Sequence, residues 1–346
     1  MPATRRFIII GAGSIGGGTG GTLARGGVDV VLVARGAHAE ALAEQGLTLR
    51  TPDGVFEVPV ASAAGPDGVR LTSRDVLVFA TKTHQLDAAL QEWADRPVFD
   101  GDRDGDVVGT AGQVLPALTA LNGVSAEDKA LRYFARVFGV CVWMPASFPS
   151  PGEVIVRSWP VAGQFHIARW PAALTSAEDR VLVDEIAAGW SAAGILVQQP
   201  ADVAPWKYNK LLSNLSNAIV ALTGTDSRDD KVSAAVRREA EEVLTLAGIE
   251  WVSFETSKAA RAQGPTPRPV AGAEGMISNS TWQSLARKSG SVETDYLNGE
   301  IARIAHRHGA TAPLNALLAR LTREAAASGK GPGVYTVEDL ARLAAQ

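Results

Sequence analysis

Phe7-Ile8-Ile9-Ile10 is an unbroken apolar run that turns directly into Gly11-Ala12-Gly13-Ser14-Ile15-Gly16. Such a run predicts a buried strand, and Gly-x-Gly-x-x-Gly behind it predicts a tight turn into a helix whose first amides can hold a pyrophosphate. Val28 to Val33 is a second apolar, β-branched run one helix length later. The chain therefore opens with a strand–helix–strand unit of about thirty residues. Gly16, Gly17, Gly18, Gly20 and Gly21 fall inside the predicted helix. Each costs about 1 kcal/mol relative to alanine, so something other than helix formation keeps them there.

Further along, Leu47 to Arg50 and Val55 to Val60 flank Pro52-Asp53-Gly54 and predict a hairpin, and Val76 to Ala80 predicts another buried strand. Asp95 to Gly112 is rich in Asp, Gly and Arg without a period, and reads as a surface excursion. Ser125-Ala126-Glu127-Asp128 predicts a short helix with acids in its first turn. Strand-like runs follow at Val137–Trp143, Glu153–Arg157 and Gln164–Trp170, then a helix from Ser176 to Ala193. Beyond Pro200 the pattern becomes wholly helical, with Arg261 to Pro269 as an inter-helix loop. The fold class expected is α/β followed by all-α. A dinucleotide-binding domain is expected over 1–200, a helical domain over 201–330, and a tail over 331–346.

Composition narrows the function classes. At 346 residues the chain has room for two domains and their cores. The formal net charge is −4 and no Lys/Arg block occurs, so neither nucleic acid nor an anionic membrane is an expected partner. No segment approaches the roughly twenty apolar residues of a membrane span. Cys141 is the only cysteine, which excludes an internal disulfide and agrees with a cytoplasmic setting. Arg5-Arg6 before an apolar strand imitates a signal peptide, but no small-residue cleavage site ends an apolar core. The five histidines, at 38, 84, 166, 306 and 308, form no metal-ligand pair on a helix face, so no metal is expected.

Several side chains are candidates for chemistry. Gly11, Gly13, Ser14, Ile15 and Gly16 form the phosphate turn. The second strand ends in Ala34-Arg35, where an NAD site usually has an acid for the ribose hydroxyls. A guanidinium there suits the 2′-phosphate of NADP(H), with a plain surface cation as the alternative. Lys82 directly follows a buried strand, where open α/β sheets place ligands. A helix predicted from Trp206 to Leu222 carries Lys207, Lys210, Asn214 and Asn217 at spacings of three and four. Asparagine is a poor helix former, so that face reads as a cleft wall, against a solvated stripe. Glu293, at the expected start of a helix running to His308, is equally well explained by the macrodipole. Asn122-Gly123 ends an apolar run, where a simple turn is the other reading.

Taken in order, Gly-Ala-Gly-Ser-Ile-Gly, Ala-Thr-Lys82-Thr-His-Gln, Asn122-Gly123, Lys210-Leu-Leu-Ser-Asn214, Val-Glu293-Thr-Asp-Tyr-Leu-Asn-Gly299 and Ala312-Pro313-Leu-Asn315 resemble the ketopantoate reductase (2-dehydropantoate 2-reductase) family from about Phe7 to Leu321. The resemblance implies a Rossmann domain that binds NADPH/NADP+, then a helical domain, and reduction of 2-dehydropantoate to pantoate. It implies Lys210 as catalytic lysine and Glu293 as the acid that organises the site. Asn122 would lie near nicotinamide and substrate, with Asn214 and Thr281 as substrate contacts and Lys82 and Arg35 as cofactor contacts; Asn217, from its place on the helix face, is a further candidate substrate contact. Leu121 and Ala218 depart from the family, which commonly has glutamine at the first position and asparagine at the second. A relative acting on another ketone or imine is the alternative, and a non-catalytic NADP(H) sensor the alternative of another class. The partner expected is a small 2-keto acid, with a homodimer left open.

Overall fold

The computed structural model describes residues 5–101, 105–224, 230–273, 279–288 and 290–344. The chain divides into two compact units. The first comprises residues 1–121, 125–203 and 255–275, and the second 122–124, 204–254 and 276–346. The strand–helix alternation before residue 200 and the helices beyond it are both present, as the apolar periodicity predicts.

In the first unit an eight-stranded sheet runs in the order Ile195–Gln198, Gly163–Trp170, Arg136–Trp143, Pro116–Thr119, Asp75–Phe79, Arg6–Ile10, Asp29–Val33 and Ala61–Ala63. The strands from Arg136–Trp143 to Ala61–Ala63 pair in parallel, and Gly163–Trp170 joins antiparallel. From Arg6–Ile10 the chain first builds one side of the sheet and then crosses to Asp75–Phe79 on the other. Ligands bind α/β sheets outside the carboxyl ends of strands at such a reversal. The Gly11–Gly16 turn stands there. Ile8, Ile9, Leu77 and Phe79 are fully buried, as expected of strands covered on both faces.

The predicted hairpin forms between Leu47–Thr51 and Gly54–Val58 and joins a separate four-stranded sheet with Ala146–Ser150 and Glu153–Val156. This second sheet explains the glycines of the first helix, Ser14–Arg25. A Cβ on Gly20 would lie 2.4 Å from Leu32 Cδ2 of the large sheet, and one on Gly17 would lie 2.7 Å from Val154 Cγ2 of the small one. The helix is clamped between two sheets, and only hydrogens fit at both contacts.

Three expectations change. Asp95 to Gly112 is not a bare excursion. Pro97–Phe99 pairs antiparallel with Val107–Thr110, and Val98 is fully buried. Its middle residues, 102–104, lie outside the described residues. The short helix predicted at Ser125 forms, Ala126–Ala130 with Glu127 and Asp128 in its first turn, and Glu127 is in addition a buried acceptor of a 2.7 Å hydrogen bond from the Thr119 hydroxyl. The 261–269 stretch packs within the first unit rather than among the later helices, its Arg268 N donating to the Arg157 carbonyl at 2.6 Å. A single boundary near residue 200 does not anticipate that return. Finally, the expected tail contains a helix, Val337–Ala344, whose Leu340 is buried in the core of the second unit.

Candidate active site

In the first unit the candidate residues gather at the carboxyl edge of the large sheet. Gly11 has φ +98°, and a Cβ there would meet Thr81 N at 2.9 Å, so the turn requires glycine twice over. Around Gly13 nothing lies within 4 Å of a Cβ position, leaving open space above the turn. The amides of Ser14, Ile15 and Gly16 open the helix, and first-turn amides have no intrahelical acceptor. Thr81 Oγ1, beside this turn, is buried with no hydrogen-bond partner among the described residues. Open space, donor amides and an orphan hydroxyl suit a pyrophosphate. Lys82, half-buried, precedes a short 3-10 turn, Thr83–Gln85.

His38, which the sequence gave no role, steadies the same turn. Its Nε2 lies 2.8 Å from the Ala12 carbonyl and its Nδ1 accepts the Gly152 amide at 2.9 Å. The ring therefore carries its proton on Nε2 and is neutral. Burial holds its pKa below the ordinary histidine value, with the Ala12 carbonyl opposing that shift. Arg35 extends from the end of the second strand and is paired with Glu92, Nη2 to Oε2 at 2.5 Å.

The second unit holds the remaining candidates, and the predicted helix from Trp206 to Leu222 is broken there. Ala204–Asn214 ends, two residues intervene, and Asn217–Thr223 begins. The break is stabilised from outside. Asn298, 1% exposed, donates its Nδ2 to the Leu215 carbonyl at 3.1 Å and to Asn315 Oδ1 at 3.0 Å. Asn315 in turn donates to the Val236 carbonyl and to Glu239, whose carboxylate also accepts the Leu314 and Asn315 amides at 2.9 Å each. The carbonyl freed by the break thus meets a buried amide network instead of water.

Asn214 and Asn217 flank this break. Asn217 Nδ2 lies 3.5 Å from Asn214 Oδ1, while Asn214 Nδ2 is buried with no partner among the described residues. Asn279 ties in a third element, donating to the Asn217 carbonyl at 3.2 Å and capping the helix Ser280–Ala286 through the Trp282 amide. That helix carries Thr281, only 4% exposed. Lys210 is half-buried and Lys207 is 3% exposed. Asn214 and Asn217 are half-buried like Lys210, while Leu211, Leu212, Leu215, Ile219 and Leu222 fill the core of the second unit. Glu293 does not begin a long helix. It precedes a 3-10 turn, Thr294–Tyr296, and the helix proper starts at Asn298. The macrodipole explanation therefore loses its basis. Gly123, φ +80°, presses on this turn, a Cβ there lying 2.7 Å from the Tyr296 carbonyl. Asn122 and Glu293 are in this way brought to neighbouring segments.

A largely parallel sheet with a glycine turn at its reversal, followed by a helical unit bearing half-buried lysine and asparagines, is an arrangement that dinucleotide-dependent oxidoreductases use. The family model "Ketopantoate reductase PanE/ApbA" matches residues 7–172, and its C-terminal counterpart matches 202–326. The chain belongs to this family, whose members are oxidoreductases acting on CH–OH groups. A 2-dehydropantoate 2-reductase of Pyrococcus horikoshii is 25% identical over 331 residues, covering 94% of this chain and 99% of that protein. The crystal structure of a PanE/ApbA family ketopantoate reductase from Ralstonia eutropha is 26% identical with a TM-score of 0.71, over 94% of this chain and 99% of that one. D-mandelate dehydrogenase with NADH and anilino(oxo)acetate shares the fold, with a TM-score of 0.74 at 20% identity over 94% and 99% of the two chains. Among the described residues no helix is long and apolar enough to cross a membrane.

Proposed function

We propose that this protein reduces a small 2-keto acid to the 2-hydroxy acid with NADPH, 2-dehydropantoate being the leading substrate. The observation that carries the reading is the broken helix. It leaves an unsatisfied buried amide nitrogen on Asn214 one turn after a half-buried lysine, Lys210. An orphan donor inside a protein costs about 1–3 kcal/mol, and an oxygen-rich substrate would relieve it. When bound, the cofactor supplies hydride to the ketone carbon. Gly11, Gly13, Ser14, Ile15 and Gly16 would hold its pyrophosphate, Arg35 its 2′-phosphate, and Lys82 and Asn122 would flank it.

In this reading the Lys210 ammonium donates a proton from Nζ to the oxygen of the ketone as it becomes an alkoxide. Asn214 and Asn217 hold the substrate through their side-chain amides. Glu293 is the acid that organises the site in this reading. Thr281, nearly buried, would offer one hydroxyl.

A second reading keeps the chemistry and changes the substrate. Leu121 and Ala218, at positions where the family commonly has glutamine and asparagine, are packed in hydrophobic cores and offer no amide to a substrate, which leaves room for a keto acid other than ketopantoate. A panel of 2-keto acids followed by loss of NADPH absorbance separates the two. Highest kcat/KM with 2-dehydropantoate supports the first reading, and highest kcat/KM with another keto acid supports the second. No NADPH oxidation with any keto acid would leave only an imine substrate or a sensor.

A further inference from the structure

Arg35 is exposed over 70% of its side chain, yet it is not waiting alone for a ligand. Glu92, from the helix Leu86–Ala94, sits on it at 2.5 Å and is itself exposed over only 33% of its side chain. The pairing is selective. Arg96 is one turn further along from Glu92 and would be its natural partner at this spacing. Arg96 instead pairs with Asp67 at 2.5 Å and spends its Nε on the Glu92 carbonyl at 3.1 Å. The second Glu92 oxygen faces Gly65, just beyond the edge strand Ala61–Ala63, 3.8 Å from where a Cβ would stand. Three elements therefore converge on this carboxylate.

A site for NAD usually ends its second strand with an acid that accepts hydrogen bonds from the ribose hydroxyls. Here the strand ends in Arg35, and an acid arrives at the same place from a different helix. We propose that Glu92 competes internally with the 2′-phosphate for Arg35, and so sets how strongly the protein prefers NADPH over NADH. The proposal rests on the reading of Arg35 as the 2′-phosphate contact. A phosphate must displace the carboxylate or share the guanidinium with it, and sharing places two like charges side by side. NADH carries a hydroxyl at that position and does not compete for the guanidinium.

The test is equilibrium binding of NADPH, NADH and adenosine 2′,5′-bisphosphate to wild type, Glu92→Gln, Arg35→Ala and the double variant. Removing a screened surface competitor should tighten NADPH and the bisphosphate by about three- to fivefold in Glu92→Gln. NADH should stay within about twofold, since no charge contest is involved. The gain should vanish when Arg35 is absent. Unchanged NADPH affinity in Glu92→Gln, with a selective NADPH loss in Arg35→Ala, overturns the role of Glu92 and leaves the Arg35 reading intact. An undiminished gain in the double variant also overturns it, because Glu92 would then act without Arg35. Equal weakening of both cofactors by Arg35→Ala removes the Arg35 reading itself.

Discussion

Replacing Asn298 by alanine should loosen the helix break and the asparagines beside it. Its Nδ2 serves two buried acceptors, the Leu215 carbonyl at 3.1 Å and Asn315 Oδ1 at 3.0 Å. Both lose their donor, and each orphaned buried acceptor costs about 1–2 kcal/mol, so the variant should lose roughly 2–4 kcal/mol. At about 3 °C per kcal/mol for a chain larger than an average domain, Tm should fall by roughly 6–12 °C. Asn298→Asp separates hydrogen bonding from packing. It keeps the shape but turns an oxygen toward two acceptors, and a protonated carboxyl could satisfy only one of them. Thermal unfolding followed by circular dichroism should therefore show Asp to be no better than Ala. Because Leu215 stands between Asn214 and Asn217, KM for the keto acid should rise in both variants. An Asp variant that melts with wild type would refute the donor argument and leave Asn298 as filler.

Four further outcomes follow from particular contacts. Asn214→Ala should chiefly raise KM for the keto acid, since uniform binding is lost first there, and wild-type kinetics on every accepted substrate would return that helix face to a passive role. Gly189→Ala, in the helix Ala177–Ala192 with nothing within 4 Å of the new methyl, should stabilise by about 0.5–1 kcal/mol. Gly20→Ala should do the opposite, because overpacking against Leu32 and Ile9 costs about 1–3 kcal/mol and outweighs the propensity gain; chemical denaturation showing two equal gains would contradict the clamped helix. His38, with its pKa lowered in the fold, adds no pH dependence while both states are neutral. As pH falls below about 6.5 the unfolded chain takes a proton that the folded ring resists, so stability is lost until the folded value is reached. Between about pH 7 and pH 5 wild type should lose more stability than His38→Gln, and parallel stability curves would exclude this contribution.

The strands at Phe7, Val28 and Val76 were legible because both faces of a parallel sheet are buried, which leaves uninterrupted apolar runs in the chain. The glycines of the first helix signalled a second demand, but its source, the sheet holding Val154 and Leu47, is far away in sequence. Local pattern could not supply it. The same holds for the break after Asn214. Leu211, Leu212, Leu215, Ile219 and Leu222 continue a helical period across it, and the partner of the carbonyl freed there is Asn298, more than eighty residues later. The run from 261 to 269 could be recognised as a loop from its prolines, whereas its packing in the first unit depends on Arg157 and could not. Among site residues, those on regular spacings were visible. Glu92 and His38 were not, since an isolated acid or histidine on a short helix carries no local signal of what lies across from it.

The central claim is that the helical unit supplies the proton through Lys210, and single-turnover reduction by Lys210→Ala at saturating NADPH tests it most directly. The control is rescue of Lys210→Ala by small primary amines. The account predicts a fall in the rate of the chemical step by a general-acid factor of about 10² to 10⁴, with NADPH affinity unchanged and partial recovery in added amine. A Lys210→Ala protein that reduces its keto acid at close to the wild-type rate, with no response to amine, would contradict it.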